Sequence, residues 1–545
     1  MAKSKSLRKR LSRFLRSDPR AAQEGGDASG VSDIGLYVHI PFCRTRCSYC
    51  DFVSRAVGGG DRQLFERYVR RLVDEAKEHA DALYEACGAV PPVRTLYVGG
   101  GTPTVVDADL LGWLVAELRA VFGAWEVGEA TVEANPESLS DDVARALRKA
   151  GFDRLSLGVQ SLRDDELYVL GRIHDAEGAR AAFGRARAFF PHLSCDLIYG
   201  LPGQAAQDLE SSLRTVINWR PEGISCYALT LEPSAPLAKR LAAEGQQLPD
   251  DNEMYALYER ACALLKEAGY VHYEVSNWAL PGHESRHNQR YWERKPYLGL
   301  GASASSALGR LRFTNVLSPE EYASGVPWAY EFDELEEEEE ALEWLYLGLR
   351  TASGISLARL DAYAKLWPSF ADAIACFESL GYLERDNAQL RATERGWFVL
   401  DSIVVELTRS QPANQPANQP ANRGDEDTAT PRPAARSNEA RARRGHVARM
   451  PFETAPSRHA GATETLPSTV PLCSEPPCMD REGSAQRKPK TIPTPPAVQD
   501  GPVRSGTATY PLPAPSAPPQ SRKAPKEAPR EESESVNFAP QRSSG

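Results

Sequence analysis

Short apolar runs separated by longer amphipathic stretches set the rhythm of the first half of the chain. Residues 36–40, Leu-Tyr-Val-His-Ile, are stopped by Pro41 and read as a buried strand. Residues 61–86 carry apolar positions at helical spacing, and 94–98 form a second apolar run. The alternation then recurs as helix 107–122 and strand 130–133, helix 141–150 and strand 154–159, helix 177–190 and strand 194–199, helix 207–219 and strand 223–229. Six strands alternating with helices predict a parallel sheet of βαβ crossovers, and in a barrel of this kind chemistry gathers at the C-terminal ends of the strands. After residue 231 the rhythm breaks, with a helix at 251–268, a strand at 271–275 and a loop at 276–292. Residues 333–350 read as an amphipathic helix, with acids at its start suiting the helix dipole and Leu342, Leu345 and Leu349 on one face. Helices and a short strand pair follow to about residue 408.

Composition divides the 545 residues further. From 409 onward the chain is dominated by Pro, Ala, Ser, Arg and Glu, repeats Gln-Pro-Ala-Asn three times at 411–422 and has no Trp, so it reads as a disordered tail. The expected organisation is a basic flexible extension at 1–33, a barrel at 34–232, a barrel extension at 233–330, a small helical domain at 331–408 and the tail at 409–545. Ten cysteines without a secretory leader point to a reducing cytoplasm rather than a disulfide framework. A net charge of -10 argues against a nucleic-acid partner, and no run approaches the length of a membrane span. The first residues differ: Lys3, Lys5, Arg8, Lys9, Arg10, Arg13 and Arg16 surround Leu7, Leu11, Phe14 and Leu15. A flexible basic start, peripheral contact with an anionic membrane and an organellar transit peptide are three readings of that pattern.

The candidate chemistry begins at Cys43, Cys47 and Cys50, spaced four and then three positions apart in the loop after the first strand. A structural zinc site usually wants four ligands, whereas three thiolates in one short loop hold three corners of a 4Fe-4S cube and leave the fourth iron open. Residue types alone leave both readings standing. Gly100, Gly101 and Thr102 end the second strand, Glu133 the third, Gln160 the fourth and Ala228 the sixth, while Asp196 lies on the fifth, so they share one rim. Farther on, His287-Asn288 is followed by Tyr291-Trp292. An imidazole beside two flat rings suits a heme ligand with aromatic packing on the porphyrin, and equally suits a structural loop packing its aromatics on the barrel edge.

Tyr37-Val38-His39-Ile40-Pro41-Phe42-Cys43, with Tyr49 before the third cysteine, resembles the cluster loop of the radical S-adenosylmethionine superfamily, in its oxygen-independent coproporphyrinogen III oxidase-like family. The resemblance implies an α/β fold, a partial (β/α)6 TIM-like barrel closed by a small winged-helix-like C-terminal domain. It also implies that Cys43, Cys47 and Cys50 ligate a 4Fe-4S cluster whose open iron chelates S-adenosylmethionine. Tyr37, Gly100, Gly101, Thr102, Glu133, Gln160, Arg172, Asp196 and Ala228 match the family's contacts to that cofactor. His-Asn-x-x-Tyr-Trp resembles the signature of the heme chaperone (HemW) subgroup, which implies heme bound through His287 and delivered to membrane-associated respiratory apoproteins. One departure is visible: Ala302-Ser303-Ala304-Ser305-Ser306 stands where relatives usually continue Pro-Gly-Ala-His-Ser, so a second histidine is missing. The alternative is an oxygen-independent coproporphyrinogen III dehydrogenase. Such enzymes generally carry a further cysteine two positions after the third ligand, where this chain has Phe52, and this favours the chaperone.

Overall fold

Each of the six apolar runs becomes a parallel strand. In the computed structural model, which describes residues 31–58, 60–325 and 331–409, they are β1 (Ile34–Ile40), β2 (Val93–Gly100), β3 (Trp125–Ala134), β4 (Arg154–Gln160), β5 (His192–Tyr199) and β6 (Gly223–Ala228). They pair side by side in chain order, as the crossover rule requires. The basic residues of the chain start, the tail with its repeat and the cysteines at 473 and 478 lie outside the described residues.

The helices form where the sequence offers caps. Asp61 accepts the Leu64 N–H at 3.0 Å to open the Arg62–Cys87 helix, and Gly88, with φ of 79°, closes it. Ser140 and Asp175 open the Asp141–Ala150 and Ala176–Phe189 helices in the same way.

The strands alternate in chemistry rather than in burial. Leu36, Val38, Leu96, Val98, Val132, Leu155, Leu157, Leu193 and Leu197 face the helices and join them in the main core. The intervening positions turn inward: Tyr37 and His39 on β1, Thr95 and Tyr97 on β2, Glu129 and Glu133 on β3, Ser156 on β4, Asp196 on β5. Barrels are ordinarily filled by branched apolar side chains. A polar interior costs burial free energy unless hydrogen bonds compensate, so this one is arranged as a chamber and not as a core.

The sheet runs well past the six expected strands. Beyond β6 lie β7 (Val271–Glu274) and β8 (Asn277–Ala279), antiparallel, in the order β6, β8, β7. On the other flank β9 (Tyr297–Leu300) pairs parallel with β1, followed by antiparallel β10 (Ser305–Leu308), β11 (Leu311–Thr314) and β12 (Glu331–Glu334). The parallel pattern therefore does not stop near residue 231; a seventh parallel strand returns from the extension. Its close approach to β10 requires glycine at 299, because a Cβ there would stand 2.2 Å from the Ser305 carbonyl oxygen.

Two expectations are corrected here. Residues 333–350 are not one helix: the acidic start is edge strand β12, and the helix is Glu337–Leu349, at whose start the Glu339 carboxylate accepts the Glu336 N–H at 2.8 Å. Residues 276–292 are not a loop, since they hold β8 and a helix, Arg286–Trp292, capped by Ser285.

The C-terminal segment has its own core around Trp367, Phe370, Phe377, Leu390 and Leu400, and a three-stranded sheet of Ile355–Ser356, Gln389–Ala392 and Leu383–Arg385. An ionic knot joins it to the barrel extension. Glu343 on the Glu337–Leu349 helix receives a forked pair of hydrogen bonds from Arg312 on β11 and a further one from Arg294 at 2.7 Å.

Candidate cofactor site at the mouth of the barrel

Pro41 ends β1, and the chain turns through the two-residue strand Phe42–Cys43, which pairs with Arg55–Ala56. The loop between them carries Cys47 and Cys50 and is pinned to the rim. Ser48 N–H donates to the Leu170 carbonyl at 3.0 Å, Ser48 Oγ donates to the Val169 carbonyl at 2.8 Å, and the Leu237 N–H donates back to Ser48 at 2.8 Å. Three consecutive glycines make room behind it. A Cβ would meet the Glu133 carboxyl at 2.8 Å from Gly99, the His39 ring at 2.7 Å from Gly100, where φ is 118°, and Cys43 Sγ at 2.8 Å from Gly101.

One thiol ends a hydrogen-bonded circuit that starts beside another. Thr102, whose N–H donates to the Phe42 carbonyl at 2.8 Å next to Cys43, accepts from Asn135 Nδ2 at 2.8 Å; Asn135 Oδ1 accepts from Arg172 Nη2 at 2.7 Å; Arg172 Nη1 donates to Cys47 Sγ at 3.3 Å. Asn135 is thus the hub of the site, and sequence reasoning did not single it out. Its signal was its place two residues after Glu133, just before the Pro136 that ends the strand.

The electrostatics suit thiols awaiting a positive partner. Burial raises the Cys43 thiol, and burial followed by the neighbouring Cys47 and Cys43 sulfurs pushes Cys50 up to about 12. Among the described residues no three His, Cys, Asp or Glu side chains are gathered to hold a single metal ion. Three soft thiol donors on one short loop are the set that an iron–sulfur cube takes, one to each of three irons.

Below the loop the interior carries two carboxyls. Glu133 accepts from the Tyr97 hydroxyl at 2.9 Å and from the Gly100 N–H at 3.0 Å, and burial, then the Asp196 charge, pushes it up to about 8. Asp196 accepts from Ser156 Oγ at 3.0 and 3.1 Å, and burial raises it to about 6 against the help of Ser225 and Ser156. Tyr37 lies beside them, its hydroxyl 2.9 Å from His39 Nδ1. Since His39 Nε2 faces the Val53 carbonyl at 3.1 Å, that nitrogen carries the proton and Nδ1 accepts from Tyr37. Burial drops His39 to about 4, so the ring stays neutral.

Gln160 closes β4 with φ of 65°, a left-handed conformation that costs about 1 kcal/mol or more outside glycine. Arg172 stands in the loop beyond it and Ala228 at the end of β6. Tyr37, Gly100, Gly101, Thr102, Glu133, Gln160, Arg172, Asp196 and Ala228 therefore share the mouth and the chamber beneath it with the three cysteines.

His287 does not join them. It lies on the Arg286–Trp292 helix at the opposite end of the barrel, where Glu129 accepts the N–H groups of Arg286 at 3.1 Å and His287 at 3.0 Å. Arg290 anchors the same helix on Asp33 and the Pro296 carbonyl, at the start of β1 and β9. The His287 ring is 0% exposed, with Nδ1 2.8 Å from Thr95 Oγ1 and Nε2 2.8 Å from the Tyr291 hydroxyl. Neither ring nitrogen is open to an iron in this arrangement, and burial, then Arg290, lowers the ring to about 3. Of the two readings of this motif, internal aromatic packing is the one this geometry matches.

Comparison with known proteins now adds to the geometry. Residues 37–216 match the Radical SAM superfamily and residues 335–399 match the HemN C-terminal domain. The heme chaperone HemW of Mycobacterium tuberculosis (strain H37Rv) is 35% identical over 378 residues, covering 68% of this chain and 93% of that protein. The chain belongs to the HemW family of radical SAM proteins. The Escherichia coli (strain K12) heme chaperone HemW is 32% identical, covering 68% and 97%, and the bovine "Radical S-adenosyl methionine domain-containing protein 1, mitochondrial" is 33% identical, covering 70% and 88%. Among solved structures, coproporphyrinogen III oxidase HemN from Escherichia coli superposes with a TM-score of 0.60 at 23% identity, covering 69% of this chain and 90% of that one, which fixes the fold. Family membership implies a 4Fe-4S cluster and S-adenosylmethionine, and the loop and chamber are built of groups that suit them. Among the described residues no helix is long and apolar enough to cross a membrane.

The raised carboxyl carries a pH prediction. A group that holds its proton more tightly when folded loses stability as pH rises from its ordinary 4.5 to about 8, and the loss is complete above that. Glu133→Gln removes this term. In cofactor-free protein the variant's advantage in melting temperature over wild type is expected to widen across that window, whereas a constant difference from pH 4.5 to 8 would contradict the burial of Glu133.

Proposed function

We propose that this chain is a heme chaperone. Cys43, Cys47 and Cys50 hold a 4Fe-4S cluster, the polar chamber holds S-adenosylmethionine at the open iron, and the protein binds heme and passes it to respiratory apoproteins. The observation that carries the cofactor half is the circuit from Thr102 through Asn135 and Arg172 to Cys47, which places a guanidinium beside the cysteine loop. Arg172 offers a positive charge to the methionine carboxylate, while Glu133 and Asp196 offer acceptors to ribose hydroxyls, and a bound sulfonium would favour the ionised form of both. The cluster supplies, when reduced, an electron to the sulfonium; whether the chaperone uses that chemistry is separate from holding the ligand.

The heme half is supported by the curated relatives' names and by Phe52 standing where the dehydrogenases have a cysteine. The site of action in this reading is the cytoplasm, with the basic start of the chain against the anionic leaflet. Full-length reconstituted protein titrated with hemin is expected to give a saturable Soret band, to yield its heme to an apo-cytochrome, and to leave coproporphyrinogen III unchanged under anaerobic reducing conditions. Conversion of coproporphyrinogen III to protoporphyrinogen IX without heme transfer would make it the dehydrogenase instead.

A further inference from the structure

We propose that the His-Asn-x-x-Tyr-Trp helix is the floor of the cofactor chamber, and that His287, acting through Tyr97, is a positioning residue for Glu133. The proposal rests on S-adenosylmethionine being the ligand of the chamber and is independent of the heme half of the functional reading.

The helix lies under the barrel by three separate attachments. Glu129 on β3 takes its first N–H groups, Arg290 binds Asp33 ahead of β1, and a Cβ on Gly35 would strike the Arg290 side chain at 2.9 Å. From this floor the His287 ring points up the interior. Its centroid is 5.3 Å from the Tyr97 ring, and Tyr37 flanks Tyr97 at 6.2 Å. Held between these rings, Tyr97 presents its hydroxyl to Glu133 Oε1 at 2.9 Å. The direction of the Glu133 carboxyl, fixed on its other oxygen by the Gly100 N–H, is thus set partly from below.

His287 is itself prevented from swivelling. Thr95 and Tyr291 hold its two nitrogens, and Tyr291 stands edge-on to Tyr297 of β9 at 4.6 Å. A neutral imidazole has one donor and one acceptor, and two hydroxyls satisfy either tautomer, so the bonds survive any proton placement short of ionisation. A filler with no role beyond packing would not need them: an apolar side chain fills space without a hydrogen-bond network to complete. Ligation of an iron by this ring would require breaking one of these bonds. The positioning role and the heme-ligand role therefore predict opposite outcomes for the same substitution.

The test is S-adenosylmethionine binding to full-length reconstituted protein, by anaerobic equilibrium dialysis, with hemin titration run in parallel. Tyr97→Phe keeps the ring and deletes the hydroxyl; His287→Ala removes the support; His287→Gln keeps a hydrogen-bonding group. Tyr97→Phe and His287→Ala are each expected to weaken cofactor binding about tenfold, the scale of a hydrogen bond to a charged group, with His287→Gln recovering most of it and the Soret titration unchanged in all three. In a Glu133→Gln background both losses are expected to shrink to about twofold or less, because the residue they orient is gone. Full-sized losses in that background, or unchanged cofactor binding with a lost Soret band in His287→Ala, overturn the proposal. If His287→Ala does not fold, His287→Phe, which keeps a ring and loses both hydrogen bonds, is measured in its place, and cofactor binding equal to wild type in that variant overturns the proposal. Wild-type protein that binds no S-adenosylmethionine would overturn the chamber reading itself, a result distinct from either.

Discussion

Cys47→Ser protein, reconstituted anaerobically with iron and sulfide, is expected to retain iron only at background while keeping the wild-type fold. Cys47 sits at the tip of a loop whose backbone is pinned by Ser48 to Leu170 and Val169, so the loop's course does not depend on the thiol. Arg172, which touches Cys47 Sγ, keeps its bonds to Asn135 and the Gly158 carbonyl when the sulfur goes. A serine hydroxyl stays protonated near neutral pH and is a poor ligand for a soft cluster, and two thiolates do not hold a cube that needs three. Iron and sulfide analysis, with melting temperature as the control for folding, checks it; an intact chromophore in the variant would remove Cys47 from the ligand set.

Glu343→Ala is expected to give the largest loss of stability of any single change discussed, about 3–5 kcal/mol, the scale for removing one partner of a buried ion pair. Glu343 and Arg312 are 8% and 6% exposed, and Arg294 shares the same carboxylate. Burial alone would raise the Glu343 carboxyl, yet Arg312 and then Arg294 hold it below its ordinary value. Truncation leaves Arg312 without its forked partner and two guanidinium groups sharing only Glu340, 3.6 Å from Arg294. Because β11 and the Glu337–Leu349 helix belong to different cores, the first event on denaturation should be release of the C-terminal segment. Denaturant titration followed by intrinsic tryptophan fluorescence and far-UV circular dichroism reads this; a midpoint within error of wild type would mean that the knot contributes nothing net.

The six barrel strands were legible because a strand covered on both flanks leaves a short apolar run, and loop, helix and run recurred at even spacing. What that reading overlooked was the second pattern inside each run. Thr95, Tyr97 and Gly99 alternate with Leu96 and Val98, and it is the polar set that makes the chamber. β9 was illegible because its four residues acquire meaning only beside β1, far upstream. The acidic stretch before residue 337 misled in another way, since acids mark a helix start and an exposed edge strand equally well.

The cysteines and most of the rim were found from motifs, but Asn135 and Tyr97 were missed because their importance is relational. One bridges Thr102 to Arg172 and the other bridges His287 to Glu133. His287 was placed in a loop although the helix had a signal: Ser285 is a good N-cap, and His287 and Tyr291 stand four apart, where helical side chains meet. A residue that looks like an exposed ligand by type proved to be a fully enclosed one by position.

The central claim is that three thiolates hold a cube whose remaining iron opens into a chamber shaped for S-adenosylmethionine. Mössbauer spectroscopy of protein reconstituted with the active iron isotope, before and after adding S-adenosylmethionine, tests it most directly. The account predicts that one iron of the cube changes its isomer shift on addition while the other three do not. A cube whose irons are all indifferent to the ligand, or a preparation that takes up zinc and forms no cube, would contradict it.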